Sequence, residues 1–177
     1  QSLTQYGVRP LERLARLGLL GPNFIGVHAV HVNAAEIALL ATHGCHVAHC
    51  SNSNLKLASG LAPVVELMRA GVNVGLGTDG AASNNRLDLV SEMRMTALLA
   101  KGASGDAAAL PAATVLKMAT LDAARALNLD DRIGSKRTVQ LAVLGVIVAT
   151  IGIVSISKQG VLFFVPAPEL SPTRGLF

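Results

Sequence analysis

Three short apolar runs, each followed by a helix signal, constrain this chain more than any other feature. Phe24–His28 follows Gly21-Pro22 and reads as a strand. Asn33 and Glu36 have the spacing of a capping box, which predicts a helix through Ile37, Leu39, Leu40 and His43. Gly44 is placed to end that helix as a left-handed residue. Cys45–His49 reads as the second strand, and Leu61–Ala70 as a helix stopped by Gly71. Val72–Leu76 reads as the third strand, running into Gly77-Thr78-Asp79-Gly80. A longer helix is predicted over Asn85–Lys101, and shorter ones over Pro111–Met118 and Leu121–Leu127. Strands alternating with helices form parallel sheets, because each crossover returns the chain to the same edge. The expected class is therefore α/β, with chemistry at the C-terminal strand ends. His28, His49 and Asp79 stand there.

Composition narrows the functional classes. The 177 residues are 51% hydrophobic and 15% charged, the reverse of a disordered chain. With no Trp, one Tyr and four Phe, the chain lacks rings for stacking bases. Residues 1–134 carry eleven Lys/Arg against ten Asp/Glu, so the net charge of +4 belongs mostly to residues 135–177. No basic cluster marks a phosphate-tracking face, and no nucleic-acid partner is expected. Two Cys cannot make a disulfide framework, which predicts a reducing compartment, the cytoplasm.

Three motifs carry a resemblance to a known family. They are Gly26-Val27-His28, the stretch from Val47 through His49, Ser53 and Asn54 to Leu57, and the stretch from Leu76 through Asp79 to Asn85. Together with Arg9–Leu14 and Leu17–Pro22, they resemble the chlorohydrolase/deaminase branch of the amidohydrolase superfamily. That branch includes 5-methylthioadenosine/S-adenosylhomocysteine deaminases and triazine hydrolases. The resemblance runs from about residue 6 to Gly134.

It implies part of a (β/α)8 barrel of TIM type, about strands five to eight, in residues 1–134. It also implies a small-molecule substrate and one divalent metal, zinc ahead of iron or manganese. In this reading His28 is a metal ligand on strand five, His49 the second-coordination histidine on strand six, and Asp79 the ligand on strand eight. Zinc accepts imidazole and carboxylate ligands and leaves a position for water. Asp79 would then take the water's proton and return it to a leaving amine, while His49 stabilises the developing tetrahedral centre. The implied reaction is hydrolytic removal of ammonia from an aminated ring.

The departures are specific. Strict deaminases of the family carry Glu three residues after the strand-five histidine, where this chain has His31, the third candidate catalytic residue. Ser51 replaces a usual proline. All five histidines (28, 31, 43, 46 and 49) follow the expected start of strand five, so the His-x-His pair of strand one and the strand-four histidine are missing. His28 and Asp79 alone give two protein ligands, fewer than the three of a catalytic zinc site. The competing expectation is a non-catalytic partial barrel, which would associate with itself or with a missing N-terminal half.

Other polar residues have simpler readings. His43 suits a helix C-terminus, and His46 a strand facing a helix. His43, Cys45, His46, His49 and Cys50 do not have the spacing of a zinc knuckle. Ser53 and Asn54 are expected to order the loop after the second strand, and Asn84 and Asn85 to cap the next helix. Residues 135–177 depart from the family. Thr138–Ser157 holds no charge and is long enough to span a bilayer. Its Val and Ile content with Gly145 and Gly152 puts β-strands ahead of a membrane anchor.

Overall fold

All three apolar runs form strands, and they pair in chain order. The computed structural model describes residues 2–129, which lie within one compact unit. Two short helices, α1 (Ser2–Tyr6) and α2 (Pro10–Arg16), precede β1 (Ile25–Val27). Then come α3 (Ala34–Thr42), β2 (His46–His49), α4 (Ser51–Lys56), α5 (Val64–Arg69) and β3 (Asn73–Leu76). After these follow α6 (Ala81–Asn84), α7 (Leu89–Ser104) and α8 (Ala112–Lys117). A π-helical turn, Met118–Asp122, joins α8 to α9 (Ala123–Ala126). The sheet order is β1-β2-β3, all parallel, with Gly26 opposite Val47 and Val47 opposite Val74.

Val47 and Val74, at 0% and 1% exposure, join Leu40 of α3, Leu67 of α5 and Met118 of the π turn in one apolar core. Side chains alternate across a strand, so Gly75 looks the opposite way from Val74. There it meets α9 so closely that a Cβ would lie 2.9 Å from Ala123 Cα. Asn73, two residues earlier, donates from Nδ2 to the Asp122 carbonyl at 2.8 Å. A π turn disturbs the regular i→i−4 ladder, and the strand side chain supplies a donor at this carbonyl.

The α3 signals act as their chemistry predicts. Asn33 Oδ1 accepts from the Glu36 amide at 2.9 Å, and Glu36 Oε2 accepts from the Asn33 amide at 3.1 Å. Gly44 follows the helix at φ 64°. His43 donates from Nδ1 to the Leu39 carbonyl at 2.8 Å, serving a last-turn acceptor. Asn33→Ala should therefore cost about 1 kcal/mol, the usual value of an N-cap, read as a lower urea midpoint with unchanged slope.

Several elements differ from expectation. Ser51–Lys56, read as a loop, is helical. Ser and Asn disfavour helices because their side chains compete for nearby backbone. Here Ser51, Ser53 and Asn54 bond instead to Glu92, Asp79 and His28. The helix expected from Leu61 starts at Val64, because Pro63 disfavours helical geometry at Ala62. The helix expected from Asn85 starts at Leu89, capped by Asp88, whose Oδ1 accepts from the Ser91 amide at 3.0 Å. Asn84 and Asn85 do not cap it. They close α6, with Asn85 at φ 70°.

The sheet also corrects the barrel numbering. Placing His28, His49 and Asp79 on strands five, six and eight requires a strand between β2 and β3. None intervenes among the described residues: β2 and β3 hydrogen-bond directly, His46 opposite Asn73 and His49 opposite Leu76. No helix among the described residues is long and apolar enough to cross a membrane. The 134/135 boundary and the uncharged stretch Thr138–Ser157 lie outside the described residues.

Candidate active site

The chain leaves β1 and β3 through left-handed backbone at two non-glycine residues, His28 at φ 67° and Asp79 at φ 60°. Such conformations cost free energy and persist where the surroundings hold them. At His28 the ladder still holds, because its amide donates to the Ala48 carbonyl at 3.0 Å. Gly77, two residues before Asp79, donates its amide to the His49 carbonyl at 3.0 Å. The three strand tips are thereby tied across the sheet.

Asp79 is held by three donors. Ser53 of α4 and Ser83 of α6 each donate a hydroxyl to Oδ2 at 2.7 Å, and the Gly80 amide donates to Oδ1 at 2.8 Å. The two serine hydroxyls, then the Gly80 amide, pull the carboxyl down to a pKa of about 2, with His28 adding a smaller effect in the same direction. Asp79 is therefore an oriented carboxylate at neutral pH. His28 Nδ1 donates to Asn54 Oδ1 at 2.9 Å. Nε2, on the far side of the ring, lies 3.8 Å from Asp79 Oδ2. A histidine that binds metal or accepts a proton usually donates its other ring N–H to an oxygen in this way.

His49 is 4% exposed, and its Nδ1 has no hydrogen-bond partner among the described residues. Burial pushes its pKa down to about 4, so the ring is neutral at pH 7; Glu92 opposes this shift and His28 adds to it. It borders a cleft walled by Leu61, Val64, Leu99 and Ala103. Cys50 is a buried free thiol whose pKa rises to about 11, chiefly through burial and then through the Asp79 and Glu92 charges. It is no nucleophile near neutrality.

The structure brings His28 and Asp79 together at 3.8 Å. His31 is exposed beyond the end of β1, and its backbone carbonyl accepts from Arg9 Nη2 at 2.6 Å. No hydrogen bond links its ring to His28 or Asp79 among the described residues. His46 is buried in β2, and its Nδ1 has no partner among the described residues. Among the described residues no group of three His, Cys, Asp or Glu side chains is placed to hold a metal.

Sequence reasoning missed two residues that organise this site. Lys56 at the end of α4 donates to the Ala82 carbonyl at 2.6 Å and to Asn85 Oδ1. Glu92 of α7 is wholly buried and accepts from Ser51, Asn52 and Asn84. The one signal for Glu92 in the sequence was a carboxylate inside a helix whose neighbours Met93 and Thr96 turn inward.

Comparison with known proteins identifies the family. The sequence model of the amidohydrolase family matches residues 2–155. A 5-methylthioadenosine/S-adenosylhomocysteine deaminase of Teredinibacter turnerae is 52% identical over 134 residues, 76% of this chain and 30% of the relative. One from Moorella thermoacetica is 54% identical over 131 residues, 74% of this chain and 31% of the relative. An adenosine deaminase from Xanthomonas campestris, solved with bound zinc, superposes with a TM-score of 0.73 at 57% identity, covering 76% of this chain and 30% of that one. An atrazine chlorohydrolase from Arthrobacter aurescens, solved with zinc, gives 0.70 at 34% identity, covering 73% and 29%. The chain thus spans about 30% of the length of the relatives it matches.

Proposed function

The chain belongs to the amidohydrolase family, and from that premise we propose that its described residues form three consecutive strands of a metal-dependent hydrolase barrel. We further propose that this barrel deaminates a purine-nucleoside-like amine. Successive strands of a (β/α)8 barrel are neighbours. If Asp79 ends strand eight, the direct pairing of β1, β2 and β3 makes them strands six, seven and eight. In the same proposal residues 1–134 belong to the barrel, and the family match itself runs on to residue 155. The edges of β1 and β3, unpaired among the described residues, would be closed by the remaining barrel strands.

The strand count moves the roles by one place. His28, on strand six, takes the part that the resemblance gave to His49: hydrogen-bonding the attacking water. Asp79 remains a metal ligand and proton carrier. His49, on strand seven, leaves the water-activation step. His31 loses its place, because the shuttle position was counted from a strand-five histidine.

The donor set fits one side of a metal site. Asp79 is ionised, and Oδ1 holds only the Gly80 amide, so it keeps a lone pair free. Other ligands would come from outside the described residues. A zinc ion, when bound, lowers the pKa of a coordinated water to about 7. Asp79 would be placed to take a proton from an attacking water and return it to the leaving amine. His28, its ring held by Asn54, would orient that water through Nε2. The observation carrying this reading is the oriented Asp79 carboxylate 3.8 Å from His28 Nε2.

The test is a chimera in which this chain replaces its matching segment in the Teredinibacter turnerae relative. Ammonia release from 5-methylthioadenosine and zinc content are measured together. The unaltered chimera should be active. Asp79→Asn should lower the zinc content of the purified chimera and remove activity. His28→Asn should keep zinc and lose activity ~100-fold or more. Zinc lost from His28→Asn would return that residue to the ligand role. A folded, zinc-loaded chimera without activity would overturn the deaminase reading.

A further inference from the structure

We propose that Glu92 is a positioning residue that sets Asp79 and His28 by clamping together the segments that follow β2 and β3. This rests on the reading of Asp79 and His28 as the reacting pair. The geometry of the clamp stands apart from that reading.

Glu92 sits on α7 at 0% exposure. Its carboxylate accepts from two separate segments. From the start of α4, Ser51 Oγ donates to Oε2 at 2.7 Å, and Asn52 donates through its amide to Oε2 at 3.2 Å and through Nδ2 to Oε1 at 2.8 Å. From α6, Asn84 Nδ2 donates to Oε1 at 2.6 Å. No salt bridge reaches Glu92 among the described residues. A buried carboxylate without a cation is costly unless its lone pairs are met, and hydrogen bonds to a charged acceptor are the stronger kind.

The donors are neighbours of the site. Asn52 precedes Ser53, which holds Asp79, and Asn54, which holds His28. Asn84 follows Ser83, the other hydroxyl on Asp79, and the same Nδ2 also reaches the carbonyl of Thr78, the residue before Asp79. Two of the three residues bonded to Glu92, Asn52 and Asn84, thus sit next to a direct contact of Asp79. Left-handed backbone at Asp79 has to be held by its surroundings, and this carboxylate joins both holding segments. A neutral amide cannot replace it: Glu92→Gln puts an NH2 against at least one donor.

The experiment uses the full 177-residue chain, with amide hydrogen exchange followed by NMR. Glu92→Gln is compared with Val115→Ala, a core truncation away from the clamp, under conditions that equalise global stability. Exchange at Gly80, Ser83 and Asn85 should rise ~10-fold or more in Glu92→Gln and stay near wild type in Val115→Ala. The β2 and β3 core amides should match in the two variants. Asn52→Ala is the second variant, and it decides the question if Glu92→Gln does not fold. Its side chain bonds to Glu92 and makes no hydrogen bond to the Asp79 segment. Faster exchange at Gly80 and Ser83 in Asn52→Ala means that Glu92 transmits the effect. Unchanged loop exchange, or a rise matching Val115→Ala everywhere, overturns the proposal. Because neither metal nor turnover is read, a loosened loop beside an inactive chimera would sink the deaminase reading and leave the clamp standing.

Discussion

Acidification from pH 7 to pH 5 should remove about 2 kcal/mol of folding stability through His49 alone. The ring is 4% exposed, and burial holds its pKa at about 4, against an ordinary value of 6.5. Between those values the unfolded chain binds a proton that the folded chain refuses, so stability rises with pH across this window. The contribution is complete above pH 6.5, falls as pH drops toward 4, and levels off below. Its full size is about 3 kcal/mol at 1.36 kcal/mol per pKa unit. Urea unfolding of wild type and His49→Gln from pH 7.5 to 4.5 isolates it, because the carboxylates titrate alike in both. The wild-type curve should steepen below pH 6.5 relative to the variant. Parallel curves would mean that the protonated ring finds a partner or solvent.

Gly75→Ala should destabilise the fold by about 3 kcal/mol, the upper end of ordinary overpacking. A Cβ at Gly75 would lie 2.9 Å from Ala123 Cα, 3.2 Å from its nitrogen and 3.3 Å from its Cβ. Two of these three atoms are backbone, so no rotamer change relieves the clash. Either α9 moves off β3 or the strand bends, and both disturb the Asn73–Asp122 hydrogen bond. Adding Ala123→Gly should recover only part of the loss, since it removes one of the three close atoms. Thermal denaturation of the single and double variants measures this. Full recovery, or no loss at all, would show that the helix–strand spacing yields easily.

These two positions mark where local pattern ended. The sequence by itself determined the three strands, because apolar runs bounded by Gly, Pro and capping residues have no other way to bury themselves. It determined α3 with both its ends, since a capping box and a left-handed glycine act within one turn of chain. It also determined that His28, His49 and Asp79 close the strands, because that follows from strand boundaries alone.

Tertiary structure decided what distant segments do to one another. The direct pairing of β2 with β3 is one case, because strand adjacency is not written in a motif's spacing. Ser51–Lys56 became helical only because its polar side chains found Glu92, Asp79 and His28 in place of their own backbone. His31 ended on the surface, just beyond the left-handed residues His28 and Ala29. Glu92 was invisible as a site residue because its donors lie 8 to 41 positions away. Local sequence fixes what a segment can become, whereas a buried carboxylate acquires its role from whichever donors the folded chain delivers to it.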